Sequence, residues 1–156
     1  MSSRGVSGWR QVTEARDLRR ELRLARGRLS AGELVAASER VAEQLASVLG
    51  ERSPGHLATY VAADGELDPN VHAAQLRTAG WVLHLPVLTG RWSMAFVEWQ
   101  EHGELVENRY GIPEPRTDLD HVARAATELD VVLVPSVALD AVAGADPPRR
   151  SCAARR

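Results

Sequence analysis

Three consecutive stretches constrain the fold more than anything else in this chain. "HLATYV" (56–61) is short, rich in strand formers and bounded by Pro54-Gly55 and Asp64-Gly65. "ELDPNVHAAQLRTAG" (66–80) carries helix punctuation, with Asp68 placed as the N-cap, Pro69 at the first helical position and Gly80 just past the end. "WVLHLPVL" (81–88) is a second apolar run. Strand, helix and strand within about thirty residues is the spacing of a right-handed crossover between two parallel, buried strands.

The flanking segments extend that pattern. In 12–28, Val12, Ala15, Leu18, Leu22, Ala25 and then Leu29 share one helical stripe, with arginines and acids on the other faces. Ser30 followed by Glu33 is a capping box that opens a second helix, whose expected buried stripe is Leu34, Ala37, Val41, Leu45 and Val48. Downstream, "RWSMAFVEW" alternates as a third strand, "HVARAATEL" reads as a short helix, and "DVVLVP" as a continuously apolar fourth strand ended by proline. The expectation is an α/β domain with a mostly parallel sheet, helices on both faces and two helices ahead of the first strand.

Composition narrows the chemistry. All nineteen basic residues are arginine, so neither a Schiff-base lysine nor a phosphate-loop lysine is available. The net charge of −2 includes a C-terminal stretch from 146 with four arginines against one aspartate, which leaves −5 on the preceding residues and argues against nucleic acid as a partner. No apolar run has the length of a membrane span, and the N-terminal stretch lacks the apolar core of a signal peptide, so the expected location is cytoplasmic with no membrane partner. The single cysteine, Cys152, permits no internal disulfide, and the five histidines lack the spacings of a zinc site, so no metal ligands are assigned.

In open α/β sheets, ligands sit beyond the carboxyl ends of the strands. The segments there are "AADGELDPN", "PVLTGRW" and "PSVALDAVAG". Glu66 and Asp68 could meet a ligand's N–H groups, although local sequence alone favours Asp68 as a helix cap and Glu66 as a solvated side chain. Trp92 and Met94, with Phe96 and Val97, could wall a pocket for a flat heterocycle, or be one face of a strand. Tyr110 sits in the stiff loop "RYGIPEP", where it could cover a pocket or simply pack. Arg16, Arg19 and Arg23 are spaced to gather on one side of the first helix, as a polyphosphate site requires and as a solvated helix face also shows.

In order and with matching gaps, the series "ARDLRRELRLARGRLSAGE", "YVAADGELDPN", "AGWVLHLPVL", "SMAFVEW", "RYGIPEP" and "DVVLVPSVALD" resembles the 5-formyltetrahydrofolate cyclo-ligase (methenyltetrahydrofolate synthetase) family over 12–144. The resemblance implies a Rossmann-like three-layer sandwich. It also implies an enzyme that closes 5-formyltetrahydrofolate to 5,10-methenyltetrahydrofolate with ATP and Mg2+: the formyl oxygen is phosphorylated, N10 attacks the activated carbon and phosphate leaves. Carried over by position, Arg19, with Arg16 in the same segment, corresponds to the arginine near the ATP phosphates. Glu66 corresponds to the glutamate that holds the folate. Met94, with Trp92, corresponds to the strand lining the folate pocket, and Tyr110 to the aromatic of the loop beside it. No residue is assigned to the catalytic step itself, and the expected state is a monomer with folate as its small-molecule partner.

Two departures stand out. The lysine many members carry four residues before that arginine is Ala15 here, so one phosphate contact is lost unless Arg16 replaces it. The family's glycine-rich loop ending in Tyr-Tyr-Asp is replaced by "AVAGADPPRRSCAARR", so 145–156 reads as an aberrant Pro/Arg/Ala-rich tail, the C-terminal part of the domain reads as missing, and a frameshift between Ala143 and Asp146 is the expected origin. The expected consequence is a chain weakly active or inactive in that reaction, and the alternative function is a non-catalytic folate-binding or partner-binding remnant of that family.

Overall fold

A computed structural model describes residues 7–116 and 123–137. They contain helices α1 (Ser7–Arg26), α2 (Ala31–Gly50) and α3 (Ala73–Thr78), and strands β1 (His56–Ala58), β2 (Val82–Leu88), β3 (Met94–Glu98), β4 (Leu105–Glu107), β5 (Pro113–Pro115), β6 (Ala123–Arg124) and β7 (Val131–Val132). The chain divides into two units; 26–135 carries every described strand, and α1 up to Ala25 belongs to the other.

The expected strand–helix–strand crossover is present as β1, α3 and β2. β1 pairs in parallel with β2, Leu57 opposite Leu83, and on its other side with β7, Leu57 opposite Val131. β3 runs antiparallel to β2 and β6 antiparallel to β3, giving the order β6-β3-β2-β1-β7. Four of the five strands described in this sheet thus point the same way and β3 alone is reversed, so the sheet is mixed but mostly parallel and the class is α/β. α1 and α2 precede the first strand, as the sequence requires.

Alternation along the strands sets two faces. Leu57, Leu83, Leu85 and Val97 lie on one, and the core there is completed by Leu49 of α2, Ala73 and Leu76 of α3, and Trp81. His56, Ala58, His84 and Phe96 lie on the other. There the His56 and His84 rings share a hydrogen bond of 3.0 Å, and His84 is 1% exposed with its Nδ1 unpartnered. Burial, then the neighbouring His56 and Arg124, push the His84 imidazole down to about 4 from its ordinary 6.5, against the pull of Glu98.

Three local expectations are corrected. Asp68 and Pro69 do not open α3: the helix starts at Ala73, and the Asp68 carboxylate instead accepts from the Asn70 N–H at 2.9 Å, an Asx turn ahead of the helix. Gly80 does end α3, in the left-handed conformation at φ 96°. The buried stripe of α2 is Ser38, Ala42 and Leu49, while Val41 and Val48 are exposed; small Ser38 and Ala42 permit close approach, and the Ser38 hydroxyl accepts from the Asp68 N–H at 2.9 Å. Where "HVARAATEL" suggested a helix, Ala123–Arg124 pairs with β3 and only a 3-10 turn follows at Ala126–Glu128, because the open edge of β3 offers backbone partners that a short helix cannot outbid. Residues 145–156 lie outside the described residues.

Candidate functional site

Because β1, β2 and β7 are parallel, their carboxyl ends share one edge, and the candidate residues outside α1 are at that edge or on the turns beside it. After β1 the chain makes a tight loop. Asp64 and Gly65 both adopt positive φ, 49° and 72°, and Glu66 closes the turn, its N–H donating to the Ala63 carbonyl at 2.9 Å. Asparagine-like tolerance lets Asp64 take that region, and glycine enters it freely. One Glu66 carboxylate oxygen accepts from the Ala63 N–H at 3.3 Å; the other faces the Arg26 guanidinium at 3.9 Å.

Glu66 borders a cavity of about 300 Å³ between this loop and α2, walled by Leu34, Val35 and Val71 and rimmed by Glu39, Asp64 and Asp68. The local field is acidic. The Tyr60 hydroxyl, bonded to the Leu67 carbonyl at 3.1 Å, is held above its ordinary range by burial first and then by the Glu66 and Asp68 carboxylates, with Arg26 pulling the other way. Apolar walls with a carboxylate rim suit a largely neutral ring system that presents N–H donors.

The second cluster lies after β2. The turn 89–93 is closed by Thr89 and Ser93, backbone to backbone at 3.2 Å and hydroxyl to hydroxyl at 3.0 Å. Beside it stands the β4–β5 hairpin, in which the stiff-loop expectation for "RYGIPEP" becomes a turn and a strand. Arg109 in that turn donates to the Gly90 carbonyl at 2.8 Å, and the Leu88 N–H donates to Glu114 at 3.3 Å. These bonds bring Trp92 and Tyr110 onto adjacent turns, while Met94 opens β3 where Leu88 ends β2. All three are exposed, Trp92 at 90%, and each ring carries the guanidinium of the preceding arginine on its face, Arg91 over Trp92 at 5.4 Å and Arg109 over Tyr110 at 5.0 Å. Phe96 and Val97, the other half of the expected apolar wall, are buried in the sheet.

Arg16 and Arg19 are exposed on α1 and, with Arg20 and Arg23, line a shallow groove of about 460 Å³ along that helix. Guanidinium groups are the donor type that a polyphosphate takes. Among the described residues, no three His, Cys, Asp or Glu side chains gather to hold a metal ion. Sequence reasoning overlooked Asn70, Arg26 and the His56–His84 pair. His84 interrupts an otherwise apolar strand, which was a usable signal; Asn70 offered none, since its partners are set by the tertiary fold.

With three helices and a mostly parallel sheet among its described residues, the chain falls in the wide class of Rossmann-like α/β domains, in which ligands bind at the carboxyl edge of the sheet. Comparison with known proteins narrows this. The chain belongs to the 5-formyltetrahydrofolate cyclo-ligase family, whose sequence model matches residues 11–145. It is 37% identical over 86 residues to the 5-formyltetrahydrofolate cyclo-ligase of Escherichia coli K12, covering 54% of this chain and 47% of the relative. It is 26% identical over 125 residues to that of Haemophilus influenzae, covering 79% and 66%. The chain thus spans about half to two thirds of the length of these relatives. Its fold matches a 5,10-methenyltetrahydrofolate synthetase of Aquifex aeolicus with a TM-score of 0.66 at 24% identity, over 78% of this chain and 60% of the other. It also matches one from Mycoplasma pneumoniae with a TM-score of 0.59 at 15% identity, over 77% and 62%.

Proposed function

We propose that this chain is a cyclo-ligase acting on 5-formyltetrahydrofolate. The observation that carries the proposal is Glu66: in a member of this family, it lines an acidic, apolar-walled cavity at the carboxyl edge of the sheet. Its carboxylate binds the N–H edge of the pterin, and Leu34, Val35 and Val71 cover the ring. Trp92, Met94 and Tyr110 form the exposed flat surface against which the rest of the folate lies.

ATP, when bound, supplies the phosphoryl group that turns the formyl oxygen into a leaving group, after which N10 closes the ring and phosphate departs. Arg16 and Arg19 hold the polyphosphate by charge-assisted hydrogen bonds. The protein's contribution is orientation and charge stabilisation rather than covalent chemistry. Magnesium is assigned no ligand and no step here. Residues 12–144 are the cyclo-ligase domain and 145–156 a tail of different composition, and the protein acts as a cytoplasmic monomer. Among the described residues, no helix is long and apolar enough to cross a membrane.

The test is direct. Incubated with 5-formyltetrahydrofolate and Mg-ATP, the chain is expected to form 5,10-methenyltetrahydrofolate, followed by its absorbance. Glu66→Gln is expected to lower kcat/KM by about tenfold to a hundredfold, the value of a hydrogen bond to a charged group, and Arg19→Ala to raise KM for ATP by about tenfold. Folate retention without ATP turnover would replace the enzyme reading with a folate-binding one.

A further inference from the structure

Glu66 lines its cavity from a loop that has to be held at both ends, and one residue holds them. The Thr59 hydroxyl, 3% exposed at the end of β1, donates to the Asn70 Oδ1 at 2.7 Å. The Asn70 Nδ2 donates to the Tyr60 carbonyl at 2.7 Å. The Asn70 N–H donates to the Asp68 carboxylate at 2.9 Å. The same residue therefore grips the loop where it leaves the sheet and where it returns to the helix. Two further bonds brace what lies between: the Tyr60 hydroxyl to the Leu67 carbonyl at 3.1 Å, and the Asp68 N–H to the Ser38 hydroxyl at 2.9 Å.

We propose that Asn70 is a positioning residue for Glu66, and that its amide fixes the 60–68 loop in the shape that aims the Glu66 carboxylate at the ligand. This rests on the reading of Glu66 as the folate-holding carboxylate. The chemistry selects the amide. Its oxygen accepts from Thr59 while its nitrogen donates to Tyr60, a pairing that a carboxylate of the same shape cannot reproduce, because it has no donor to offer the Tyr60 carbonyl. Losing that donor leaves a part-buried carbonyl unsatisfied and frees a loop that already contains two residues at positive φ. The sheet does not need the clamp: the β1–β2 and β2–β3 ladders are complete without it.

The test compares Asn70→Asp, Thr59→Val and Thr59→Ser with the unmodified chain, by amide hydrogen exchange without ligand and by steady-state kinetics. Asn70→Asp and Thr59→Val are expected to speed exchange in 60–68 about tenfold while 82–98 exchanges as before. KM for 5-formyltetrahydrofolate is expected to rise about tenfold with kcat within twofold, the loss of about one hydrogen bond's worth of ground-state placement. Thr59→Ser, which keeps the hydroxyl, is expected to behave as the unmodified chain. Combining Asn70→Asp with Glu66→Gln is expected to raise KM no further than Glu66→Gln alone. Exchange that accelerates equally in 82–98 overturns the proposal in favour of a general stability role, and so does Asn70→Asp with unaltered KM. If the unmodified chain neither binds nor converts 5-formyltetrahydrofolate, the cyclo-ligase reading fails by that result. The clamp is then decided by exchange alone: acceleration confined to 60–68 supports it and unaltered exchange overturns it.

Discussion

Gly55 has no room for a side chain. A Cβ there would stand 2.2 Å from the Asp130 Oδ2, the atom that accepts from the His56 N–H at 2.7 Å and so ties β1 to the approach of β7. Gly55→Ala is therefore expected to displace Asp130 and to lower stability by about 1 to 3 kcal/mol, read as the denaturation midpoint; an unchanged midpoint would show that Asp130 moves aside freely. At this scale the sequence was legible only where function could be argued by position. Glu66, Trp92, Met94 and Tyr110 were candidates by their place beside the strand ends, and the family resemblance gave each a proposed role. Asp68 looked like a helix cap because its spacing to Gly80 fits a helix, yet its carboxylate is taken by Asn70 two residues on. Asn70 itself was invisible, since Thr59 and Tyr60 reach it only after the loop has folded back.

Among the elements, the β4–β5 hairpin depends on one residue in its turn. The Asn108 side-chain oxygen accepts from the Tyr110 N–H at 2.9 Å and the Ile112 N–H at 3.2 Å, and its nitrogen donates to Glu114 at 3.2 Å, the carboxylate that also receives the Leu88 N–H. Asn108→Ala is expected to cost about 1 to 2 kcal/mol and to raise amide exchange in 108–112, with the sheet strands unaffected. Exchange in that turn as slow as before would mean that the backbone bonds alone hold it. Element types were legible where the period was long: α2 opens at the Ser30–Glu33 capping box as its spacing demanded. Short segments were not, because a stretch like 123–129 takes whatever the adjoining strand edge imposes.

For the molecule as a whole, the His84 imidazole sets a dependence on pH. Its folded value of about 4 lies below the ordinary 6.5, so the native state stays neutral where the unfolded chain takes up a proton. Stability is then full above about 6.5 and falls as the pH drops towards 4, with a slope approaching about 1.4 kcal/mol per unit and a limit of roughly 3 kcal/mol. The groups facing it are His56 from β1, Glu98 from β3 and Arg124 from β6. Urea midpoints between pH 7 and 5 are expected to fall less steeply in His84→Leu than in the unmodified chain, and equal slopes would show that this ring does not govern the effect. The α/β class, the β1–α3–β2 crossover and the leading helices were legible from alternation alone. The reversal of β3 was not, because nothing in an apolar run says which way its strand points. The strand pairings also order the chain's assembly in time. β2 and β3 meet across the turn 89–93, a closure that costs little entropy, whereas the His56–Asp130 contact spans 74 residues. On a growing chain the first pairing forms early, while Leu57 and Ala58 wait with one side of β1 bare until residues 131–133 have been made. Until β7 arrives, that bare edge of β1 is open to mispairing on a nascent chain.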